Sequence, residues 1–355
     1  MEPTDRGKPF RDRWIDYIQQ LQSTICTTLE ALDGRARFES DQWEREEQGG
    51  ERGEGGQGGV GGEGGERGEG GEGGGRGGDG EGGGGGGLTK VIARGDVFEK
   101  GGVNTSVVWG KVTDAMRSQL KIEGYRWFAC GLSLVIHPVN PYVPTTHANW
   151  RYFELYDKDG NVVDRWFGGG SDLTPYYLFE EDARHFHRTF RSAMDPFGKE
   201  NYPLFKQYCD EYFVNKHRGS ETRGIGGVFY DHLRPADETD AERLFAFQQA
   251  GGNAFLPAYV PIVERRKGLA YGEREVEWQE IRRGRYVEFN LIHDRGTLFG
   301  LKTHGRTESI LMSLPPRARW SYNFQPAGGS PEALLLDACL HPRDWAGDGD
   351  WTREE

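Results

Sequence analysis

Apolar residues recur at helical spacing near the start of the chain, at Trp14, Ile18, Leu21, Ile25, Leu29 and Leu32, and the run closes at Asp33-Gly34. This spacing predicts an amphipathic helix whose stripe packs on the main body. From about residue 125 the period changes. WFACGLSLVIH (127–137) predicts a buried strand, and WRYFELYD (150–157) with NVVDRWF (161–167) around Lys158-Asp159-Gly160 predicts a hairpin. Helical stretches follow at 181–194, at 202–217 stopped by Gly219, at 237–250 stopped by Gly251-Gly252, and in a longer run through VERRKGLA and REVEWQEIRRG. RYVEFNLIH (285–293) and TLFGLKT (297–303) predict a second hairpin about Asp294-Arg295-Gly296, and Ser330-Pro331-Glu332 starts a last helix. Adjacent hairpins imply antiparallel pairing, and the helices arrive in blocks between strand pairs. The expected class is α+β, a large, mostly antiparallel sheet flanked by α-helices on both faces.

One stretch carries no such pattern. Residues 49–87 hold 26 glycines in 39 positions, with Val60 as the single aliphatic residue before Leu88. Such a segment cannot bury enough apolar surface to offset its ordering entropy, so it is expected to be a disordered insertion. The expected division is therefore an N-terminal helical part over 1–48 that packs on the main domain, the insertion at 49–87, and a main body at 88–355 that forms a single domain with the first part.

Charge adds little to the folded part. Residues 44–87 contribute eleven acids against four arginines, so they account for most of the net charge of −12. A basic face for nucleic acid is not advertised. The four cysteines, Cys26, Cys130, Cys209 and Cys339, form no C-x-x-C pair, which suits reduced thiols. The longest apolar run, FACGLSLVI (128–136), is far short of the ~20 residues of a membrane span, and the mixed charge of the first residues fits neither a signal nor a transit peptide. The expected location is the cytoplasm.

Candidate chemistry begins with histidine. His147 ends the proline-stiffened loop HPVNPYVPTTH, where a rigid imidazole suits proton transfer. His137, His147, His187 and His217 could gather around one divalent metal, although no pair among them has the i, i+4 spacing of a helical ligand set. Arg295 and Arg306 flank the second expected hairpin, beside Asp294, and guanidinium groups at strand ends suit substrate carboxylates. GGGSD (168–172) and RGIGG (223–227) match no phosphate-binding pattern and are taken as turns or close backbone contacts.

Several runs, in order, carry a resemblance: SLVIHPVNPYVPTTHANWRYFE, DRWFGGGSDLTPYY, CDEYFVNKHRGSETRGIGGVFYD, YVPIVERRK, RGRYVEFNLIHDRGTLFGLKTHGRTESILMSLPP and SPEALL. Together they resemble oxygen-dependent coproporphyrinogen III oxidase from about Gly101 to Trp345. The resemblance implies a homodimer with a deep cleft for a tetrapyrrole. It also implies conversion of two propionates of coproporphyrinogen III into vinyl groups, giving protoporphyrinogen IX, CO₂ and H₂O₂ in haem biosynthesis. Asp294 matches a central carboxylate that accepts pyrrole N–H groups, Arg295 a propionate-holding cation, and His147 a proton donor. Ser133, Asn149, Trp150, Arg151, His304, Gly305 and Arg306 match substrate-contacting positions. No organic cofactor is implied, since the electron-rich substrate can itself reduce O₂. On metal the resemblance is divided: bacterial members are described with ligands at the positions of His137, His147, His187 and His217, and eukaryotic members without metal. His304 and His232 depart from the family pattern, as does the 49–87 insertion. Two rival functions stay open, a histidine-ligated metal hydrolase or oxygenase and a non-catalytic porphyrin-binding scaffold.

Overall fold

The computed structural model describes residues 8–45, 83–114, 116–117, 121–302 and 306–347. The expected amphipathic helix forms as α1, Phe10–Asp33, and ends at Gly34, whose left-handed backbone (φ 84°) lets its N–H reach the carbonyl of Glu30 at 3.0 Å. Trp14, Ile18, Ile25 and Leu29 on its stripe are fully buried, each side chain contributing about 1.5–3 kcal/mol of apolar transfer. The Asp33 carboxylate takes the N–H groups of Ala36, Val97 and Phe98 at 2.8–2.9 Å, which ties the end of the helix to the sheet.

The strands are β1 (Glu39–Arg45), β2 (Gly84–Ala93), β3 (Phe98–Lys111), β4 (Arg126–Pro138), β5 (Thr145–Tyr156) and β6 (Val162–Thr174). They form an antiparallel meander. After helices α2 (Glu180–Met194) and α3 (Asn201–Tyr212), and a small pair made by β7 (Val214–Asn215) and β8 (Glu221–Thr222), strand β9 (Gly227–Leu233) adds to the β6 edge. The sheet is thus seven-stranded, in the order β1-β2-β3-β4-β5-β6-β9. Then come α4 (Glu238–Arg266), α5 (Glu273–Glu288), a π-helical turn at Phe289–His293, α6 (Arg295–Lys302), α7 (Thr307–Leu311) and α8 (Pro331–Leu340).

Helices cover both faces. Leu132, Leu134 and Ile136 of β4 and Trp150 and Tyr152 of β5 join the main core with the α1 stripe and with Phe255, Tyr259 and Ile262 of α4. On the other face α5 sets Tyr286 edge-on to His137 at 5.3 Å, and α7 leads into Met312, which sits over Gly102 of β3. The α+β class is therefore as expected. Among the described residues no helix is long and apolar enough to cross a membrane.

Four local expectations need correction. The second hairpin is absent: 285–302 are helical, with Asp294 between the π-turn and α6. Buried Trp278, Ile281, Tyr286 and Phe289 follow a helical period, which the short apolar run alone did not separate from a strand period. Helix α3 stops at Tyr212 instead of reaching 217. Helix α4 runs through Gly251-Gly252, because the missing side chains admit neighbours. A β-carbon at Gly251 would sit 3.2 Å from the indole nitrogen of Trp150, and one at Gly252 would overlap the Tyr17 hydroxyl. Last, Gly84–Gly87 belong to β2, paired with Trp43, Glu44 and Arg45 on one side and with β3 on the other. The rest of the expected disordered insertion, up to residue 82, lies outside the described residues.

Candidate active site

Strand alternation and register build the floor of the site. Ser133 of β4 is the register partner of Asn104 on β3 and of Asn149 on β5, and Asn149 is in turn opposite Gly170 on β6. His147 stands two residues back on the same face, opposite Asp172, and Arg151 two residues on, opposite Gly168. Glycine is required at 170, where φ is 153° and a β-carbon would strike the backbone of Val228. The result is a floor of small and polar residues. Trp150, expected among the substrate contacts, points the other way: it is 1 % exposed and packs on Phe255 at 6.3 Å, because side-chain direction alternates along a strand.

On this floor His147 is held from behind. Its Nδ1 lies 2.7 Å from Oδ1 of Asp172, and Asp172 takes two bonds from Arg223 Nη2 at 2.8 and 2.6 Å. Arg223 also donates to Asn290 Oδ1 at 2.9 Å and lies over the rings of Phe213 (4.2 Å) and Tyr286 (4.6 Å). Burial pushes the Asp172 carboxyl up, but the charge of Arg223 and the bond from His147 outweigh it and hold the group below the usual carboxylate range. Asp172 is therefore an acceptor, Nδ1 of His147 carries hydrogen, and the other nitrogen, Nε2, is turned toward the Asn149 amide at 3.4 Å. Asn149 Oδ1 is buried with no hydrogen-bond partner among the described residues.

Asp294 connects to the floor through Tyr212 and Phe213. Its Oδ1 accepts the Tyr212 hydroxyl at 2.8 Å and its Oδ2 the N–H of Thr297 at 2.7 Å, so the carboxylate also caps α6. Burial raises this carboxyl, and the bonds from Thr297 and Tyr212 with the charge of Arg223 overcome that and lower it. The link to His147 runs through aromatic rings, Tyr212 to Phe213 at 4.8 Å and Phe213 to His147 at 5.9 Å. Arg295 is exposed, with its guanidinium 4.8 Å over the Tyr212 ring. Arg151 pairs with Asp231 at 3.0 Å. Arg306 binds Asp41 and donates to Ser309 at 3.1 Å, and Ser309 meets Thr89 at 3.1 Å, so α7 sits over the β1–β3 end of the same face. His304 and Gly305 lie outside the described residues.

The four histidines do not form a ligand set. His137 spends Nδ1 on Thr145 and Nε2 on the Ser313 carbonyl, and His187 spends its nitrogens on Tyr202 and the Ile225 carbonyl. Burial depresses both, His187 to about 3, so both are neutral structural imidazoles. His217 bonds His293 at 2.7 Å and Glu288 at 2.9 Å instead. Among the described residues no three His, Cys, Asp or Glu side chains are grouped to hold a metal ion. His137, His187 and His217 each spend both ring nitrogens on protein partners.

Asp172, Arg223 and Tyr212 carry much of this geometry, and sequence reasoning passed over them. Asp172 was hidden by one residue: the pair next to the turn, Tyr156 opposite Val162, extends to residue 171 opposite His147, and the register shift between Leu155 and Tyr156 brings in Asp172 instead. Arg223 and Tyr212 had no comparable periodic signal. A separate cavity of about 390 Å³ lies between β9 and α4, lined by Phe205, His232, Arg234, Asp240, Arg243 and Phe247 among others, and no expected site residue borders it.

The floor, the histidine with its carboxylate partner and the capped Asp294 all fall within residues 78–345, which match the model of the family described as Coproporphyrinogen III oxidase. That match covers well over half of the 355 residues, and the chain belongs to the coproporphyrinogen III oxidase family.

Proposed function

We propose that this protein decarboxylates two propionates of coproporphyrinogen III to vinyl groups with O₂ as electron acceptor, giving protoporphyrinogen IX in haem biosynthesis. The family supplies the oxidase chemistry on this substrate; the use of oxygen is our own inference. The observation that carries it is His147, fixed by Asp172 on a glycine-lined face and linked through Phe213 and Tyr212 to the Asp294 carboxylate, which is held below its usual range.

The substrate presents pyrrole N–H groups at its centre and carboxylates at its rim. Asp294 accepts pyrrole hydrogens, Arg295 and Arg151 hold carboxylates, and the floor residues Ser133 and Asn149 contact the macrocycle. Loss of a pyrrole proton makes the ring a strong reductant, so electrons pass to O₂ without a further redox group. For each side chain, a β-hydrogen and the carboxylate leave, a C=C bond forms, CO₂ is released and O₂ becomes H₂O₂. The balance consumes one proton per propionate, and His147 supplies it through Nε2. No step needs a metal. We place the enzyme in the cytoplasm, in keeping with four buried, unpaired thiols, and as a homodimer, for which Leu291, Ile292 and Leu301 are exposed on the turn and helix around Asp294.

The test is incubation with coproporphyrinogen III in air and under argon, with products separated by chromatography and peroxide measured. Vinyl product and peroxide in air alone support the proposal. Turnover that survives without oxygen, or tetrapyrrole binding with no oxygen uptake, overturns it.

A further inference from the structure

Tyr212 is the last residue of α3, and α3 wraps the β9 edge of the sheet. Phe205, earlier in the helix, packs on Tyr230 of the core face at 4.9 Å, while Tyr212 stacks on Phe229 of the site face at 4.4 Å with a 15° interplanar angle. Phe213 and Phe289 meet the Tyr212 ring edge-on at 4.8 and 5.9 Å. The ring is therefore immobilised on several sides. From that fixed ring the hydroxyl donates to Asp294 Oδ1 at 2.8 Å and accepts the backbone N–H of Arg295 at 3.1 Å. The ring face carries the Arg295 guanidinium at 4.8 Å.

We propose that Tyr212 is a positioning residue that fixes both the Asp294 carboxylate and Arg295, and so sets where a pyrrole hydrogen and a propionate can bind. This rests on the role given to Asp294 above. The physical reason is a count of lone pairs. An ionised carboxylate has about four acceptor positions; the Thr297 N–H occupies one on Oδ2, the Thr297 side chain adds a second bond, and Tyr212 occupies one on Oδ1. With donors from two sides the group is held against rotation about Cβ–Cγ, and about one position is left for substrate. Tyr212 is the donor that reaches Oδ1 from outside α6. The tyrosine stays a donor throughout, since burial and the charge of Asp294 push its hydroxyl up to about 12.

Tyr212→Phe keeps the ring, its stacking and the contact with Arg295, and removes only the hydroxyl. The experiment compares it with wild type and Asp294→Asn, all as full chains, in three measurements. These are the ¹³C titration of the Asp294 carboxyl, assigned by its loss in Asp294→Asn, the pH dependence of kcat/KM for coproporphyrinogen III, and the melting temperature. We expect the carboxyl midpoint and the acidic limb of kcat/KM to move up together by about half a pH unit to one unit, because a bond to the charged form is lost. We also expect kcat to fall about 3- to 10-fold with melting almost unchanged. An unmoved carboxyl midpoint overturns the inference, whatever the activity. Wild-type turnover in Asp294→Asn would instead overturn the role of Asp294 itself, while the titration would still decide whether Tyr212 holds the carboxylate.

Discussion

Nδ1 of His147 and Oδ1 of Asp172 are 2.7 Å apart on paired strands, and the same carboxylate is the ionic partner of Arg223, itself 3 % exposed. One acid thus serves two functions, orienting an imidazole and neutralising a buried cation. They separate by substitution. Asp172→Ala leaves Arg223 buried and uncompensated, and should lower unfolding free energy by about 3–5 kcal/mol. Asp172→Asn preserves shape and some bonding but not the charge that fixes the His147 tautomer; turnover should fall about 10²- to 10⁴-fold with a smaller loss of stability. Denaturant titration beside steady-state rates distinguishes the two.

His147 is half-buried, and its Nε2 makes a single long contact, 3.4 Å to the Asn149 amide. His147→Gln should melt near wild type and lose about 10²- to 10⁴-fold in turnover, the usual contribution of a positioned proton donor. Oxygen uptake per minute reads the effect directly. A variant with wild-type uptake would assign the proton to another group.

Asp294 has a structural duty, since it caps α6 through Thr297. Asp294→Ala should cost about 1 kcal/mol for the lost cap, whereas Asp294→Asn retains an acceptor and should cost less. Both should abolish most turnover, because neither side chain carries the charge that draws pyrrole hydrogens. Equal stability of the two variants would show that the cap contributes nothing measurable. The sign with pH also follows: the folded carboxyl lies below its ordinary range, so its stabilisation is present above that range and is lost as pH falls through the folded value.

Much of the site was legible because β5 alternates. WRYFELYD marks Arg151 on its strand; β5 starts earlier, at Thr145, and so carries His147 and Asn149 on the face of Arg151, while a one-residue register shift between Leu155 and Tyr156 sets what lies opposite. The same rule should have excluded Trp150. What stayed hidden was non-local. Residues 285–302 carry apolar positions that suit either period, and they continue from helix α5, which Arg283 ties to Glu99 and to the Pro138 carbonyl far away in the sequence. Tyr212 matters through a residue 82 positions away, a distance over which no pattern in one sequence speaks. The histidines misled for the converse reason: His137 and His187 look like donors in the sequence, and burial makes them structural.

Glu288 gives an acid-stability prediction. Burial raises its carboxyl, but bonds from Arg218, His217 and Trp320 and the charge of Arg285 bring it to about 2. A depressed carboxyl stabilises the fold above its ordinary value of 4.5 and loses that stabilisation as pH falls toward about 2. The full effect is about 3 kcal/mol as an order of magnitude. Glu288→Gln should therefore be less stable than wild type at pH 7, and the gap should narrow on acidification. A gap independent of pH between 6 and about 3 would refute the assignment.

The β1–β2 register sets how much of the glycine-rich segment can be removed. Arg45 pairs with Gly85 and Trp43 with Gly87, and β2 lies between β1 and β3. Deleting 49–82 shortens the connection between Arg45 and Gly85 from 39 residues to 5 and leaves every pair in place. Closing a shorter loop costs less entropy, by roughly 2 kcal/mol on logarithmic scaling, so this variant should melt at or above wild type with unchanged turnover. Deleting 49–87 instead removes the partners of Trp43, Glu44 and Arg45, and with them the seat of the Trp43 ring, whose indole donates to Thr89 at 3.2 Å. Seven cross-strand pairs are lost, three with β1 and four with β3; at roughly 0.2–1 kcal/mol each they outweigh the gain from the shorter connection, and the wider deletion should melt lower. Two deletions differing by five glycines should therefore differ in sign, and thermal melts of both decide it. Equal melting would mean that Gly84–Gly87 add nothing to the sheet.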